Sequence, residues 1–259
     1  MVTSAVAGFR PGDKVLACGY DLGMNTFGGF GEYIRVPASW VMPLPEKLSS
    51  LESMMLGTAG FTAGLALAMM ERNGQHPDNG PVLVTGAGGG LGSLAIAILS
   101  RAGYTVIAAS GKHHEKAYFT ELGASEIIPR EQVNDLSGKM LLRTRWAGAI
   151  DTVGGNYLST AARACMRHGN IAVCGNASSH ELPLTVFPFI LNGVNLLGID
   201  SATCPMPLRK QIWEKLSGEW KPESLEKIAE VVSLDALPEN ISKILKGEIR
   251  GRKVVKISG

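Results

Sequence analysis

Three glycines at a fixed spacing are the residues of this chain that point most directly to chemistry. Gly86, Gly89 and Gly92 follow the apolar stretch Val82–Thr85 and open a segment rich in alanine and leucine. This spacing allows a tight turn, the close approach of a diphosphate, and close packing of a helix on a strand. The first backbone N–H groups of that helix would point at the anion. The pattern therefore predicts a strand–turn–helix unit that binds a dinucleotide.

The residues after the next predicted strand indicate which dinucleotide is bound. The strand Thr105–Ala109 continues into Ser110, Gly111 and Lys112, where an NAD-binding protein usually carries an acidic residue for the ribose hydroxyls. A hydroxyl and an ammonium suit a phosphate on the ribose, so the sequence favours NADPH over NADH. The alternative is that Lys112 is a solvated lysine at a helix start. Arg130 could reach the same phosphate or could equally be a surface arginine.

Strand and helix patterns alternate through the middle of the chain, which predicts an α/β fold. The predicted strands and helices are, in order, Val82–Thr85, Leu91–Ala102, Thr105–Ala109, Glu115–Leu122, Glu126–Ile128, Ala149–Val153, Tyr157–Met166, Ile171–Cys174 and Asn195–Ile199. This rhythm predicts a Rossmann-type, doubly wound parallel sheet with right-handed crossovers. The segments Asp151–Gly154 and Cys174–Asn176 end successive strands, where such sheets bind ligands. Ordinary strand termination is the alternative for both.

The first part of the chain has a β-rich pattern and then becomes helical. Turn residues precede the predicted strands Lys14–Cys18 and Gly31–Val36. A helical pattern begins at Leu51, is interrupted near Gly57, and stops at the Asn-Gly pair 73–74. The nucleotide-binding domain is therefore expected to be inserted between two β-containing ends.

The last part of the chain predicts two amphipathic surface helices and a final strand. The helices are Leu208–Trp220 and Glu223–Val232, and the strand Arg252–Ile257 is expected to pair with the N-terminal β-region. The resulting division is residues 1–52 as a partial catalytic domain, 53–205 as the nucleotide-binding domain, and 206–259 as helices and a strand that return to the catalytic domain.

Composition limits the classes of partner. The chain has 259 residues, is 45% hydrophobic and 19% charged, and carries a net charge of +2. This charge is too small to argue for nucleic acid or a membrane surface as a partner. The uncharged run Val82–Leu99 approaches the length of a membrane span, but its glycines favour a buried strand followed by a buried helix. No secretory signal pattern is visible at the N-terminus.

The cysteines give no metal-binding pattern. Cys18, Cys165, Cys174 and Cys204 are scattered, with no C-x-x-C pair and no histidine at ligand spacing. No zinc site is predicted. Reduced thiols in a cytoplasmic protein are the simple interpretation.

Several longer motifs together resemble one enzyme family. The motifs are VTGAGGGLGS, TAGFTAGLAL, SGK, WAGAIDTVGG, LPLTVFPFILNGVNLLGIDS and GRKVVKI. They resemble the medium-chain dehydrogenase/reductase superfamily, and within it the zinc-free, quinone-oxidoreductase-like branch that includes acrylyl-CoA reductase. The resemblance runs from about Phe9 to the C-terminus. It implies a GroES-like β-barrel coupled to the Rossmann domain and a homodimer. It also implies hydride transfer from NADPH to a carbon–carbon double bond conjugated to a carbonyl.

The resemblance also implies roles for individual residues. Those implied to hold the diphosphate are Gly88, Gly89, Gly90 and Leu91, and those implied to hold the ribose phosphate are Ser110, Gly111, Lys112 and Arg130. Those implied to line the nicotinamide end are Asn176, Ile199 and Asp200. Arg252 would close on the cofactor from the tail, and a solvated strand-end arginine is the alternative.

One part of the family pattern has no counterpart in this sequence. Family members usually begin with further barrel strands and an Asn-Tyr-Lys-Asp stretch that meets the nicotinamide and the substrate, whereas this chain starts at the later segment VAGFRPGDKV. The barrel is therefore expected to be incomplete here, and no residue is assigned to polarise the carbonyl or donate the proton. Tyr20 and Tyr33 belong to other motifs and do not replace the missing tyrosine.

Two functional hypotheses follow. The first is an NADPH-dependent, metal-free reductase of an activated alkene, such as an acrylyl-CoA-like thioester, an enone or a quinone. The second is a remnant of such a reductase that binds NADPH without turning a substrate over. A short-chain dehydrogenase is excluded, because none of the five tyrosines has a lysine four residues later.

Overall fold

The computed structural model describes residues 8–257. In chain order its strands and α-helices are β1 (Val15–Leu16), β2 (Met42–Pro43), α1 (Ser50–Arg72), β3 (Val82–Thr85), α2 (Gly90–Arg101), β4 (Val106–Ser110), α3 (Lys116–Glu121), β5 (Glu126–Pro129), β6 (Trp146–Asp151), α4 (Gly155–Arg163), β7 (Cys165–Val173), α5 (Phe187–Asn192), β8 (Asn195–Gly198), α6 (Met206–Ser217), α7 (Leu225–Ile228), β9 (Ala229–Ser233), α8 (Leu237–Leu245) and β10 (Arg252–Lys256). Short 3₁₀ turns lie at Ala38–Trp40, Pro77–Asn79, Arg130–Val133 and Leu234–Ala236.

Six of these strands form one parallel sheet in the order β5-β4-β3-β6-β7-β8. The chain starts at the centre with β3, runs outward through β4 and β5, and then returns to build β6, β7 and β8 on the other side. This order is the doubly wound Rossmann arrangement, so the predicted fold class is confirmed. The topological switch point falls between β3 and β6, and their carboxyl ends are where such a sheet binds its ligand.

Both faces of the sheet are covered, because successive strand residues point to opposite sides. Val82 and Val84 pack into a core with residues of α1, α2 and α6, whereas Leu83 packs into a second core with residues of α4. All of β3 is buried. A strand that is buried on both faces appears in the sequence as the continuous apolar run from which it was predicted.

The long helix α1 has the interruption that the sequence predicts. It begins after Ser49, whose side chain accepts a hydrogen bond from the backbone N–H of Glu52 and completes a capping box. Gly57 breaks the helical backbone with φ 52° and ψ −156°, and the helix ends at Arg72 with Asn73 as its C-cap residue. By length and composition α1 could cross a membrane. However, 72% of its apolar 18-residue stretch is buried inside the fold, as in the core helix of a globular domain.

The C-terminal strand pairs differently from the prediction. The predicted helix Glu223–Val232 is wrong beyond Ile228, where the chain becomes the strand β9. The expected pairing of the tail with the N-terminal β-region is also wrong for the residues described, because β10 pairs with β9 in parallel, from Arg252 opposite Ala229 to Lys256 opposite Ser233. The paired valines of β9 and β10 favour a strand over a surface helix.

The N-terminal segment is less regular than predicted. Of the predicted strand Lys14–Cys18, Val15 and Leu16 pair with β2. The predicted strand Gly31–Val36 is not formed, since this segment has no partner strand within residues 8–257. The predicted boundary at residue 52 falls in the first turn of α1.

Candidate functional site

A cleft of about 1080 Å³ lies at the carboxyl ends of β3, β4 and β6. It is lined on the sheet side by the glycine loop that follows β3 and on the other side by α8 and the segment from Gly247 to Val255. The predicted cofactor-binding residues that line it are Gly88, Gly89, Gly90, Leu91, Ser110, Gly111, Lys112, Arg130 and Arg252. The cleft therefore occupies the switch point of the sheet.

Two glycines of the fingerprint are required by close packing. Gly86 has φ +60°, and a Cβ there would overlap the hydroxyl of Thr152. A Cβ at Gly92 would overlap the carbonyl oxygen of Gly86. Only glycine therefore allows the loop to turn at this angle and α2 to lie directly against it.

The loop between these glycines forms an anion cradle. Gly89 precedes α2, and neither a capping side chain nor an acidic residue occupies the first turn of this helix. The N–H groups of Gly90 and Leu91 lie in that first turn, where a helix has no acceptors of its own to offer. These N–H groups form the positive end of the α2 dipole, which faces the cleft and favours a phosphate.

Arg252 brings a positive charge to this cradle. Its side chain crosses Gly90, where an added Cβ would lie 2.9 Å from Arg252 Cγ, and its guanidinium lies against Gly57. The Nε atom of Arg252 is buried without a hydrogen-bond partner, and no carboxylate of residues 8–257 forms an ion pair with this side chain. Burial lowers the pKa of Arg252. An uncompensated, partly buried cation calls for an anionic ligand.

The C-terminal segment that carries Arg252 is attached to the nucleotide-binding domain by several contacts. The N–H of Gly251 donates to the carbonyl of Gly88 at 3.0 Å. Arg250 donates to Glu115 at 2.6 Å, and its guanidinium lies 4.2 Å from the ring centre of Tyr118. A Cβ at Gly251 would overlap the carbonyl oxygen of Ile228. The segment therefore closes one side of the cleft in a fixed position.

At the end of β4 the structure gathers a second cationic group of residues. The hydroxyl of Ser110 accepts the N–H of Lys112 at 3.0 Å, and the Arg130 side chain lies across Gly111, where a Cβ would be 3.3 Å from its Nε. The ammonium of Lys112 donates to the carbonyl of Ile249 at 2.8 Å. Lys112 is therefore held over the cleft and is not the freely solvated lysine of the alternative interpretation. Arg130 is exposed and also contacts Glu131 at 3.2 Å.

A buried carboxylate organises the switch point below the cleft. Asp151 accepts a hydrogen bond from the hydroxyl of Thr85 at 2.6 Å and from the N–H of Gly154 at 2.8 Å. Burial raises the pKa of Asp151, while these hydrogen bonds act in the opposite direction. Because the Thr85 hydroxyl also accepts the N–H of Thr152 at 3.0 Å, the carboxylate fixes the loop after β6 against the end of β3.

The three residues assigned to the nicotinamide end lie outside the lining of the cleft. Asn176 is exposed beyond β7, next to the cleft-lining residues Ala177 and Ser178. Ile199 donates its N–H to Val173 at 3.1 Å and packs on the core. Asp200 is exposed and accepts the N–H of Thr203 at 3.0 Å together with its hydroxyl.

Local hydrogen bonds satisfy Asp200. The bonds from Thr203 lower the pKa of Asp200, so its carboxylate is ionised and locally engaged. It has no proton to donate near neutral pH.

The two tyrosines of the N-terminal region are not among the residues that line the cleft. The ring of Tyr20 stacks on Trp40 with centroids 5.0 Å apart and lies 4.5 Å from the guanidinium of Arg209. Tyr20 also donates its N–H to Ala202 at 2.8 Å, which attaches this segment to the loop after β8. Tyr33 is 79% exposed. Neither ring lines the cleft.

Metal-ligand side chains are dispersed. Within residues 8–257 no three His, Cys, Asp or Glu side chains are grouped as a metal site. Cys18, Cys165 and Cys204 are buried free thiols. Burial raises the pKa of Cys165 to about 12, which makes that thiol inert as a ligand or nucleophile.

Sequence reasoning missed the apolar wall of the cleft. Leu237, Ile241 and Ile244 of α8 line it together with Phe30. The spacing of these three residues is that of one helix face, so the pattern was available in the sequence. The roles of Gly251 and the Ile249 carbonyl depend on contacts with distant segments and have no local signal.

Comparison with known proteins agrees with this geometry. The family model described as "Zinc-binding dehydrogenase" matches residues 90–217. The putative quinone oxidoreductase YhfP of Bacillus subtilis is 45% identical over 99% of this chain and 78% of its own length. The acrylyl-CoA reductase AcuI of Ruegeria pomeroyi is 42% identical over 96% of this chain and 76% of its own length.

Solved structures of similar proteins carry nicotinamide dinucleotides. YhfP with bound NAD superposes with a TM-score of 0.95 over 98% of this chain and 78% of that one. Escherichia coli YhdH with bound NADPH is 39% identical and superposes with a TM-score of 0.95 over 99% of this chain and 79% of that one. The chain belongs to the medium-chain dehydrogenase/reductase superfamily of oxidoreductases, in the group that contains YhfP and the acrylyl-CoA reductases.

Proposed function

We propose that this protein reduces an activated carbon–carbon double bond with NADPH, by hydride transfer and without a metal. The substrate class is an acrylyl-CoA-like thioester, an enone or a quinone. The observation that carries the proposal is the cationic end of β4, where Ser110, Lys112 and Arg130 meet beside the glycine cradle and no acidic residue directly follows the strand. The family and the named activities of YhfP and AcuI support it.

The residues of the cleft fit a nicotinamide dinucleotide phosphate. The glycine loop leaves space where side chains would stand, and the buried Nε of Arg252 has no partner of its own. A diphosphate would accept hydrogen bonds from the N–H groups of the glycine loop and from the guanidinium of Arg252. The ammonium of Lys112 has three donors, of which the Ile249 carbonyl takes one, so others remain for a ribose phosphate.

Preference for NADPH follows from charge at the end of β4. A charge-assisted hydrogen bond contributes about 1.5–3 kcal/mol, which corresponds to about a ten- to a hundredfold preference. NAD is the cofactor bound to YhfP in its crystal structure, whereas YhdH binds NADPH. The preference of this chain for NADPH over NADH must therefore be measured directly, with substitutions of its own Ser110 and Lys112.

When bound, the reduced nicotinamide supplies the hydride. The residues of this chain bind and orient the cofactor, and Phe30 and the apolar face of α8 line one side of the cleft. Asp200 accepts hydrogen bonds and holds no proton, so it is assigned no acid role. No residue is assigned to polarise the substrate carbonyl or to donate the proton.

The alternative function is NADPH binding without turnover. It is favoured by the nicotinamide end, where Asn176, Ile199 and Asp200 lie outside the cleft lining. The two functions differ in one measurement, which is the loss of NADPH absorbance on addition of acrylyl-CoA, a small enone or a quinone. Oxidation that depends on the alkene supports the reductase, and stable NADPH with every acceptor, despite binding, supports the alternative.

We also propose a cytoplasmic homodimer. The strand β8 lies at the edge of the six-stranded sheet, and the neighbouring helix α5 exposes Ile190 by 68% and Leu191 by 52%. An exposed strand edge beside apolar side chains favours association between copies. Light scattering should give twice the chain mass for the purified protein, and Ile190→Lys should shift it to the monomer mass. A monomeric wild-type protein would contradict the dimer.

A further inference from the structure

The kink in α1 coincides with the position of the Arg252 guanidinium. Gly57 is the one residue of α1 with a non-helical backbone, at φ 52° and ψ −156°. A Cβ built on Gly57 would lie 2.5 Å from Nη2 and 3.4 Å from Cζ of Arg252. Any side chain at this position would therefore occupy the space of the guanidinium. Gly57 is distant in sequence from both the glycine fingerprint and the C-terminal strand.

Helix α1 contributes buried residues on both sides of the kink. Met55 and Leu56 before the kink and Gly60 and Phe61 after it are buried, whereas Thr58 between them is exposed. The conformation at Gly57 is one that only glycine adopts at ease. Such a break persists where the surrounding structure requires it, and the structure places Arg252 there.

Arg252 has few other restraints. Its Nε is buried without a hydrogen-bond partner, and no hydrogen bond to another side chain fixes the guanidinium among the residues described. The two glycines that it crosses, Gly90 in the cradle and Gly57 in α1, therefore define its path. Displacing the end of this flexible side chain is easier than moving the backbone of α1.

We propose that Gly57 is a positioning residue that makes room for the Arg252 guanidinium beside the diphosphate cradle. It acts on cofactor affinity through Arg252 and has no contact of its own with the cofactor. The inference rests on the proposed function, since the cradle is taken as a diphosphate site. It adds a residue that a cofactor fingerprint does not contain.

The test is a double-mutant cycle with a matched glycine control. Gly57→Ala should weaken NADPH at least tenfold in a fluorescence titration. In the Arg252→Ala background the same change should have no further effect, because the displaced group is already gone. Gly80→Ala is the control, because Gly80 has a similar glycine-only backbone (φ 123°, ψ −174°) and an added Cβ makes only ordinary contacts with Ala147 and Met166. It should lower the melting temperature without changing NADPH affinity.

Three results would overturn the inference. The first is a Gly57→Ala protein that binds NADPH as tightly as Gly80→Ala. The second is an equal fold-loss from Gly57→Ala with and without Arg252, which would mean that the effect is structural. The third applies if Gly57→Ala does not fold. The Gly57→Ala/Arg252→Ala double variant keeps the same backbone strain but lacks the obstructing guanidinium, so its folded fraction by circular dichroism must exceed that of Gly57→Ala, and equal folded fractions would contradict the role assigned to Arg252.

Failure of the proposed function is distinguishable from failure of this inference. If the wild-type protein does not bind NADPH, the proposed function fails. The cycle is then measured with inorganic pyrophosphate as the probe, by its protection against thermal unfolding. Loss of that protection in Gly57→Ala but not in Gly80→Ala supports the inference, and equal protection in both variants overturns it.

Discussion

The two halves of the cofactor region differ in how their polar groups are satisfied. At the glycine loop, the first-turn N–H groups of α2 and the guanidinium of Arg252 face the cleft without anionic partners of their own. Beyond β7 and β8, Asp200 is engaged by Thr203, and Ile199 is engaged by Val173. The first half therefore carries positive and N–H groups that can bind an anion, whereas Asp200 and Ile199 in the second half already have protein partners. Among these residues, the positive groups without a counter-charge therefore lie at the glycine loop and at Arg252.

The largest expected effect comes from the fingerprint itself. Gly92→Val would drive a side chain into the carbonyl of Gly86 and separate α2 from the loop, at a cost of about 1–3 kcal/mol in stability. NADPH binding should fall by more than a hundredfold in a fluorescence titration. Gly198→Ala, at a glycine of β8 with no atom within 4 Å of an added Cβ, should bind normally. If Gly92→Val bound NADPH as tightly as the wild-type protein, the glycine loop would not be the cofactor-binding half of the region.

The next effect tests the unpaired cation of the cradle. Arg252→Ala should weaken NADPH and NADH alike, by about ten- to a hundredfold, because both cofactors carry the diphosphate. Lys256→Ala is the control, since Lys256 is an exposed residue of the same strand. Isothermal titration of both cofactors measures the two losses. A loss of affinity for NADPH alone would show that Arg252 contacts the ribose phosphate and not the diphosphate.

The third effect separates the two phosphate groups. Lys112→Glu should weaken NADPH by about ten- to a hundredfold more than it weakens NADH, because the ammonium is exchanged for a like charge beside the ribose phosphate. Lys116→Glu, on an exposed lysine one turn further along, should leave the ratio unchanged. Equal losses for the two cofactors would contradict the assignment of Lys112.

The smallest effect is expected in the second half of the region. Asp200→Asn retains an acceptor for Thr203 and changes no lining residue of the cleft. NADPH affinity should stay within about twofold, which is less than about 0.5 kcal/mol. A tenfold loss would show that this carboxylate takes part in cofactor binding and would remove the contrast between the two halves.

The sheet was predictable because its signals are local. Val82–Thr85 is continuously apolar, and glycines with required conformations follow it, so this strand and turn agree between sequence and structure. The break in α1 was also visible, because Gly57 interrupts an otherwise helical pattern.

The C-terminal region was not predictable in the same way. The segment around Val231 suits a surface helix and an edge strand almost equally, and the pairing of β9 with β10 decides between them. The contact between Lys112 and the Ile249 carbonyl spans 137 residues of sequence, and no local pattern encodes it. The contact between Gly57 and Arg252 is of the same kind.

The most direct test of the account is a fluorescence titration of the wild-type protein with NADPH and NADH. The account predicts saturable binding of both cofactors, with NADPH bound at least tenfold more tightly, because Ser110, Lys112 and Arg130 lie together at the end of β4 and no acidic residue directly follows that strand. Equal affinities would contradict the cofactor assignment. The absence of binding by either cofactor would contradict the central claim that the glycine loop and Arg252 form a diphosphate site.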